Sequence, residues 1–499
     1  MDARPAADAF AETYALGLPQ VVWTSLVADL ETPVSAFLKL GEGRPYSFLL
    51  ESVEGGAVRG RYSIIGTKPD LVWRCFGARA EINRRVRQGG EFEPLETPAL
   101  QSLRELIRSC RITMPEGLPP PAAGLFGQMT YDMVRQMERL PEKNEDRLGL
   151  PDAVFVRPTL VAVFDNIADR VTLVTSVYPR PDVPASRAYD AALERLADAM
   201  ADFDRGVRHE PLRRALPPID PVPNMPPDAF RGMVERAKEY IVAGDIFQVV
   251  PSQRFAVQFD LPPIALYRAL RRLNPSPFLF YLDLDGYALV GSSPEILVRL
   301  RDSKVTIRPL AGTRRRGANR AEDETLAKEL LSDPKELAEH LMLLDLGRND
   351  VGRVAEIGSV KVTEKMVVEY YSHVMHIVSN VEGRIRPGLD ALDALIGGFP
   401  AGTVSGAPKV RAMEIIEELE PERRGFYAGT VGYFGADGTM DTCIALRTAL
   451  VKDGTMYVQA GSGVVYDSDP DAEYQESLNK VRALIRAAEE TVRFASSKG

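Results

Sequence analysis

Two predicted helix starts in the second half of the chain carry paired carboxylates. Glu336 and Glu339 follow a Ser-Asp-Pro triplet, and Glu473 and Glu476 follow another. Residues three apart lie on one face of a helix, so each helix can direct two carboxylates at one point. Four converging carboxylates without Cys or His ligands suit a hard cation such as Mg²⁺. The alternative is that these acidic first turns only cap the helices and offset their dipoles.

Small residues and cations form candidate anion sites. The segment 459–463 (QAGSG) follows a predicted strand, and the segment 402–409 (GTVSGAPK) precedes a predicted helix. Backbone amides at such places attract anions. A tight turn at the first segment, and ordinary capping by Thr403 or Ser405 at the second, are the alternatives. Arg447 lies in a predicted strand and needs a partner if it is buried, and a small anionic ligand would serve.

Two further residues are candidates for proton transfer. Glu295 ends the motif GSSPE at the end of a predicted strand, and His376 lies in the apolar stretch VMHIVSNV. A buried carboxyl can act as a general acid, and a histidine can act as an acid or a base. The alternatives are that Glu295 is only solvated and that His376 is a hydrogen-bonded core residue.

The elements that must position these residues predict an α+β fold. Hairpin-like runs of β-branched and aromatic residues between 45 and 185 predict antiparallel sheets packed with helices. Seven prolines between 211 and 227 indicate an extended linker. We therefore predict an N-terminal domain at 1–205, a linker at 206–227 and a catalytic domain at 228–492. The helix that follows the linker is expected to begin at Pro227 and Asp228.

Composition excludes several classes of protein. The 499 residues include three well-separated cysteines and four histidines, which excludes a disulfide scaffold and a His-rich metal centre. The net charge of −9 without a basic stripe argues against nucleic-acid binding. No apolar run approaches the length of a membrane span, and the N-terminus lacks a signal pattern. These features predict a soluble cytoplasmic protein.

The order of motifs between residues 244 and 480 resembles a known family. It is similar to the chorismate-utilising enzymes, and within them to the large, chorismate-binding component I of anthranilate synthases. The matching segments are 244–255, 274–284, 291–300, 308–317, 336–360, 370–383, 399–421, 424–435, 441–448 and 459–480. The N-terminal part resembles the N-terminal domain of that family more thinly, through SFLLESVEGG, GRYSIIG and GLFGQMTYDMVRQMERL.

The resemblance implies a role for each candidate residue. Glu339 and Glu476 would bind Mg²⁺ with Glu336 and Glu473 in support, Glu295 would protonate the departing C4 hydroxyl, and His376 would assist the later elimination. The residues expected to contact substrate or complete its pocket are Gly312, Thr313, Thr403, Tyr427, Arg447, Gly461, Gly463 and Lys480. Ammonia would add at C2, and loss of pyruvate would then give anthranilate.

Two positions separate the branches of the family. Isochorismate and salicylate synthases carry a lysine where this chain has Gln248, and aminodeoxychorismate synthases typically carry one where it has Ala311. The chain therefore resembles the anthranilate branch, with aminodeoxychorismate synthase component I as the alternative. A non-catalytic, tryptophan-binding regulatory relative is an alternative of another class. Arg315 departs from the family by replacing a common proline. This difference concerns only the conformation of that loop.

The resemblance also implies partners and an inhibitor. The chain contains no G-x-C-x-G motif, so use of glutamine would need a separate amidotransferase subunit, with a heterotetramer as a possible assembly. Feedback inhibition by L-tryptophan is expected, in a site whose needs are polar groups and an apolar slot for the indole. The expected site residues are Leu50, Glu51, Ser52, Pro277, Phe278, Leu279, Val431 and Tyr433.

Overall fold

The computed structural model describes residues 2–54, 58–207, 219–371 and 374–494. Its helices are α1 (Ala7–Ala15), α2 (Pro33–Leu40), α3 (Ala99–Ser109), α4 (Ala185–Asp204), α5 (Pro227–Val242), α6 (Pro263–Leu273), α7 (Arg320–Leu330), α8 (Pro334–Val354), α9 (Ala391–Gly398), α10 (Lys409–Leu419) and α11 (Pro470–Glu490). Single 3₁₀ turns occur at Val86–Gln88, Tyr131–Gln136, Gly402–Val404 and Thr491–Arg493.

The strands lie between these helices, many of them in runs of several successive strands. They are β1 (Gln20–Val27), β2 (Phe48–Glu54), β3 (Val58–Phe76), β4 (Arg79–Asn83), β5 (Glu93–Pro94), β6 (Gly124–Met129), β7 (Ala153–Asp165), β8 (Arg170–Val177), β9 (Val222–Pro223), β10 (Gln248–Val249), β11 (Ser252–Gln258), β12 (Phe278–Asp283), β13 (Tyr287–Ser293), β14 (Ile296–Arg301), β15 (Lys304–Ile307), β16 (Leu310–Arg315), β17 (Lys361–Tyr370), β18 (Val374–Arg384), β19 (Gly406–Ala407), β20 (Thr430–Gly435), β21 (Met440–Ile444), β22 (Thr448–Lys452) and β23 (Thr455–Gly461).

These strands pair in an antiparallel manner. Within the described ranges, 21 of them join into one hydrogen-bonded sheet, and β10 and β19 form a separate pair. Long ladders of the sheet, such as β3 with β7 and β17 with β18, are antiparallel. The expected α+β class is therefore confirmed. No helix within the described ranges is long and apolar enough to cross a membrane.

Strands from the two predicted domains are hydrogen-bonded to each other. β2 pairs with β12, so that Glu51 lies opposite Leu279, and β6 pairs with β20, so that Gly127 lies opposite Gly432. The domain limits stay a prediction, although α4 ends at Asp204 and α5 begins at Pro227, close to the expected linker. Residues 208–218 of that linker lie outside the described residues. Its later part is not free, because β9 pairs with β11.

An apolar cluster holds the helices of the second half against the sheet. Leu344 and Val351 of α8, Leu395 of α9 and Val298 of β14 are each at most 2% exposed and pack in one cluster. Burial of each such side chain contributes roughly 1.5–3 kcal/mol to stability. This packing therefore fixes the position of α8 and of the turn between β13 and β14.

Both predicted acidic helix starts are confirmed. The Asp333 side chain accepts hydrogen bonds from backbone amides at the start of α8, and Asp469 does so for α11. Each helix has proline at its first position, where no backbone donor is needed. The capping interpretation of Thr403 and Ser405 is wrong. α10 begins at Lys409 without a side-chain cap, and Thr403 lies in the preceding 3₁₀ turn.

Candidate active site

The first turn of α8 carries two carboxylates with different surroundings. Glu336 Oε1 accepts a hydrogen bond from Arg314 at 2.7 Å, and Glu339 Oε1 accepts one from Gln248 at 3.1 Å. Burial raises the pKa of Glu339, and the carboxylates of Glu336 and Glu476 raise it further, whereas Gln248 opposes the rise. Glu476 is close enough to Glu339 to raise its pKa, so the starts of α8 and α11 lie beside each other.

The first turn of α11 carries the other pair. Glu476 forms an ion pair with Lys480 at 2.8 Å, and Lys480 also donates to the carbonyl oxygen of Gly461 at 2.9 Å. Glu473 is buried and accepts a hydrogen bond from Ser462. These contacts attach α11 to the glycine-containing turn that follows β23.

The fit of these residues to a metal can be judged from their contacts. Within the described ranges, no three carboxylate, imidazole or thiol groups already surround one point as metal ligands. The donors are nevertheless carboxylate oxygens, which Mg²⁺ prefers. Burial is the main cause of the raised pKa of Glu339, and repulsion from Glu336 and Glu476, which a cation would relieve, adds to it. The residues therefore fit the expected ion, and magnesium itself stays a prediction.

Glu295 lies in the turn between β13 and β14 and is 5% exposed. Its carbonyl oxygen accepts a hydrogen bond from the amide of Ile444, which fixes the turn to the end of β21. Burial raises the pKa of Glu295 to about 8, and the nearby Thr403 hydroxyl and Leu310 amide oppose part of the rise. This carboxyl therefore keeps its proton at neutral pH, as a general acid must.

His376 lies on β18 opposite Thr313 of β16. Its Nδ1 atom is 3.0 Å from both the Gly312 carbonyl oxygen and the Thr313 hydroxyl. A carbonyl oxygen only accepts, so Nδ1 carries the proton of the neutral ring. Burial lowers the pKa of His376 to about 4, with the positive charges of Arg447 and Lys480 contributing. Nε2 is buried without a hydrogen-bond partner in the described ranges, and its lone pair is therefore available.

Arg447 supplies a partly buried positive charge. Its φ of +47° lies in the left-handed region, which costs a residue with a side chain of the order of 1–3 kcal/mol and is typical of functional sites. Burial lowers the pKa of Arg447. No carboxylate among the described residues forms an ion pair with it. The expectation that it needs an anionic partner therefore still applies.

Two glycines near these groups allow neighbouring atoms to lie very close to the backbone. A Cβ atom on Gly461 would lie 2.6 Å from the Pro251 carbonyl oxygen and 3.0 Å from the Tyr427 hydroxyl, and one on Gly463 would lie 2.7 Å from Gln248 Nε2. A side chain at Gly461 would therefore clash with the backbone, whereas one at Gly463 would require the Gln248 side chain to move. Tyr427 itself is buried, and burial raises its pKa to about 12, so its hydroxyl stays protonated.

The residues that distinguish the family branches lie at different distances from this site. Gln248 contacts Glu339 and adjoins Gly463, so it belongs to the site. Ala311 is buried in β16, next to Gly312. Arg315 extends β16 and pairs with Glu322 at 2.6 Å with an exposed side chain.

A large cavity of about 720 Å³ lies where β2 meets β12. All eight residues expected to bind an inhibitor line it: Leu50, Glu51, Ser52, Pro277, Phe278, Leu279, Val431 and Tyr433. The cavity also reaches Glu295 and Tyr371. The sequence therefore correctly grouped residues that are more than two hundred positions apart.

The side chain of Glu51 does not face that cavity as a free carboxylate. It accepts hydrogen bonds from Arg271 at 2.6 and 2.8 Å and from the Tyr267 hydroxyl at 2.5 Å. The polar groups left to meet a ligand in this part of the cavity are therefore backbone groups and the Ser52 hydroxyl.

Sequence reasoning missed several charged residues that line the large cavity, among them Arg299, Arg301 and Asp441. Arg299 and Arg301 both pair with Asp441, at 3.0 and 2.9 Å, and Arg301 also donates to the Tyr433 hydroxyl at 3.2 Å. The spacing of Arg299 and Arg301 along β14 was the available signal, because residues two apart on a strand share a face.

A family model described as chorismate binding enzyme matches residues 61–486. The chain belongs to that family. It is 58% identical over 497 residues, covering 99% of both chains, to "Anthranilate synthase component 1" of Cereibacter sphaeroides. It is 48% identical over 471 residues to the protein of the same name from Neisseria meningitidis serogroup A, covering 93% of this chain and 94% of that one. The predicted resemblance is therefore confirmed.

Solved structures agree with this assignment. The crystal structure of anthranilate synthase component I from Streptococcus pneumoniae TIGR4 is 38% identical, with a TM-score of 0.76, covering 92% of this chain and 99% of that one. The menaquinone-specific isochorismate synthase from Escherichia coli shares the fold with a TM-score of 0.69 at 20% identity, covering 97% of this chain and 99% of that one.

Proposed function

We propose that this chain is a component I of anthranilate synthase, which converts chorismate and ammonia to anthranilate and pyruvate through 2-amino-2-deoxyisochorismate. One observation carries the proposal. A buried carboxyl that keeps its proton, Glu295, and a buried neutral imidazole with a free lone pair, His376, occur together with a partly buried cation, Arg447, that forms no ion pair among the described residues. An acid, a base and a cation are what the two steps on a dianionic substrate require.

In the amination step, ammonia forms a bond to C2 as the C4–O bond breaks. Hydroxide is a poor leaving group, and Glu295 transfers its proton to it, so that water departs. Arg447 pairs with a substrate carboxylate, and the Tyr427 hydroxyl and the backbone at Gly461 and Gly463 donate to carboxylate oxygens. Gly312, Thr313, Thr403 and Lys480 complete the pocket.

In the elimination step, the C2 proton is removed and pyruvate leaves, which makes the ring aromatic. His376 holds its Nε2 lone pair toward the pocket and accepts a proton in this step. Glu339 and Glu476 would hold Mg²⁺, with Glu336 and Glu473 in support. That ion supplies positive charge for the ring carboxylate of chorismate.

The branch follows from two positions. Gln248 at the site offers an amide and no lysine to activate water, and Ala311 offers no nucleophile. The aminated product should therefore be anthranilate. The high identity to relatives named anthranilate synthase component 1 supports the same branch.

The decisive experiment is product identification. Purified protein is incubated with chorismate, ammonium and Mg²⁺, and the products are separated and identified by mass. We expect anthranilate with no detectable isochorismate or 4-amino-4-deoxychorismate. A 4-amino product would assign the chain to the aminodeoxychorismate branch, and no turnover together with tryptophan binding would favour a regulatory relative.

The nitrogen source is the second part of the proposal. This chain would use ammonium directly, and it would use glutamine only with a separate glutamine amidotransferase subunit, in a heteromeric assembly in the cytoplasm. The test measures anthranilate formation from glutamine with and without an added glutaminase subunit. Glutamine turnover by the chain alone would contradict the proposal.

We further propose that L-tryptophan inhibits the enzyme from the large cavity. Support comes from its apolar lining by Leu50, Phe278 and Val431, which suits an indole, and from its polar members Ser52 and Tyr433. Inhibition requires that tryptophan bind one arrangement of the chain better than the other.

A further inference from the structure

A second, small cavity lies between the turn that carries Glu295 and the middle of α8. Its volume is about 20 Å³, and its polar lining residues are Glu295, Asp350 and Thr403. The other lining residues are apolar or glycine. A cavity of this size holds one water molecule when two to four polar groups are available to bind it.

Asp350 supplies one such group. It is 4% exposed, and its Oδ2 atom accepts a hydrogen bond from Lys409 Nζ at 2.8 Å. The Oδ1 atom of the same carboxylate is buried and has no hydrogen-bond partner within the described part of the chain. Leaving a buried acceptor unsatisfied costs of the order of 1–3 kcal/mol, so such an atom calls for a partner.

Thr403 supplies another. Its hydroxyl is buried and makes no hydrogen bond of its own to the described residues. The same hydroxyl lies near enough to the Glu295 carboxyl to lower its pKa as a hydrogen-bond donor would, although the distance and angle are not those of a formed hydrogen bond. Two unsatisfied polar atoms and the proton-donating carboxyl therefore border one cavity of the size of a water molecule.

We propose that one water molecule occupies this cavity and makes Asp350 a positioning residue for Glu295. The water donates one hydrogen to Asp350 Oδ1 and the other to the Glu295 carboxyl, and it accepts the hydrogen of the Thr403 hydroxyl. This arrangement turns the proton of Glu295 toward the substrate. The inference rests on the proposed function, because it takes Glu295 as the proton donor.

The charges around the cavity determine what removing Asp350 would do. Asp350 faces Lys409, with Arg353 nearby, and Glu295 faces Tyr371, Thr403 and the Leu310 amide. In the intact protein the Asp350 carboxylate neutralises Lys409. Without that carboxylate, the Lys409 cation, which pairs with a residue lining the same cavity as Glu295, is left unpaired; an added positive charge of this kind favours the ionised form of the acid and lowers its pKa.

The first test is the pH dependence of kcat for three variants. Asp350→Asn removes the charge, and Asp350→Asn with Lys409→Met removes both charges. Asp345→Asn is the matched control, because Asp345 is exposed on the same helix. Anthranilate formation is measured at saturating chorismate and a fixed concentration of free ammonia, so that the alkaline fall in kcat reports the acid in the substrate complex.

We expect the alkaline fall to move to lower pH by about one unit in Asp350→Asn, to return toward its wild-type position in the double variant, and to stay in place in the control. A purely structural role would lower kcat equally at every pH. An unmoved alkaline fall in folded Asp350→Asn overturns the proposal, and so does an equal displacement in the double variant.

The second test does not depend on a variant folding. A high-resolution crystal structure of the wild-type chain should contain one water within hydrogen-bond distance of Asp350 Oδ1 and the Thr403 hydroxyl. A dry cavity overturns the proposal. If the wild-type chain forms no anthranilate, the proposed function fails instead, and the crystal structure still decides whether the water site exists.

Discussion

The Nδ1 atom of His376 lies 3.0 Å from the carbonyl oxygen of Gly312. Because that oxygen can only accept, the proton of the neutral ring is held on Nδ1 and the lone pair on Nε2. The ring is therefore prepared as a base before any ligand binds. Burial, which lowers its pKa to about 4, keeps it neutral throughout the physiological range.

His376→Met should slow pyruvate release more than amination. Methionine keeps the bulk of the ring in a buried position but offers no basic nitrogen. We expect 2-amino-2-deoxyisochorismate to accumulate and anthranilate formation to fall by about 100-fold or more, within the usual range for loss of acid–base catalysis. Quenched time courses analysed by mass give both products, and equal loss of both steps would indicate a structural histidine.

Activity should fall as the pH rises through about 8. The raised pKa of Glu295 means that the catalytic proton is present below that pH and lost above it. Assays at constant free ammonia remove the opposing effect of pH on the nucleophile. Glu295→Gln, which cannot donate a proton to the leaving hydroxyl, should be inactive at every pH. A wild-type profile that is flat across the alkaline range would contradict the assignment.

Removal of one carboxylate should abolish metal binding. Glu339→Gln is expected to lose turnover while the thermal midpoint without metal stays the same or rises, because the variant relieves repulsion from Glu336 and Glu476. Addition of Mg²⁺ should raise the midpoint of the wild type but not that of the variant. Glu489→Gln, on an exposed position of α11, is the control. Near-normal wild-type activity in excess EDTA would refute the magnesium proposal.

Ser52→Phe should remove inhibition by tryptophan. The larger side chain fills the large cavity beside Phe278 and leaves the carboxylates and His376 untouched. Anthranilate formation is measured against tryptophan concentration for both proteins, with Ser25→Phe, at an exposed position of β1, as the control. If the wild type shows no inhibition at millimolar tryptophan, or if Ser52→Phe remains as sensitive as the wild type, the regulatory site lies elsewhere.

Loss of one partner of a buried ion pair behind the substrate pocket should strongly lower the free energy of unfolding. Arg424 donates to Glu420 at 2.6 Å and to the carbonyl oxygen of Val404 at 2.6 Å, and it is 2% exposed. Arg424→Met leaves Glu420 as an uncompensated buried charge, which should cost roughly 3–5 kcal/mol in the free energy of unfolding. Urea denaturation measures the loss.

The matched variant for that experiment is Arg236→Met, which breaks an exposed pair with Glu239 and should leave the urea midpoint nearly unchanged. Arg424→Met with Glu420→Leu removes both buried charges and should recover much of the lost stability. Equal effects of the buried and exposed variants would contradict the stated cause.

The sequence predicted local features well because their causes are local. The Ser-Asp-Pro starts of α8 and α11 follow from capping and the fixed φ of proline, and the antiparallel class follows from strand-like runs separated by turns. Side-chain partners across the fold could not be predicted in the same way. Whether Glu51 meets a ligand or Arg271 depends on α6, more than two hundred residues away.

The same distinction applies to the catalytic groups. The motifs around Glu295 and His376 were enough to select both residues as candidates. The tautomer of the imidazole, however, depends on the Gly312 carbonyl oxygen. The small cavity depends on the meeting of β14, α8 and the turn at Thr403. No periodicity in the sequence encodes such a meeting.

The pairing of β6 with β20 joins Met129 to Thr430, about 300 residues further along the chain. The sheet therefore cannot close until nearly all of the polypeptide has left the ribosome. During synthesis, β2 and β6 present unpaired edges, which are prone to association with other chains. We expect slow folding of high contact order, with a strong dependence of the yield of native protein on chaperones and on the rate of translation.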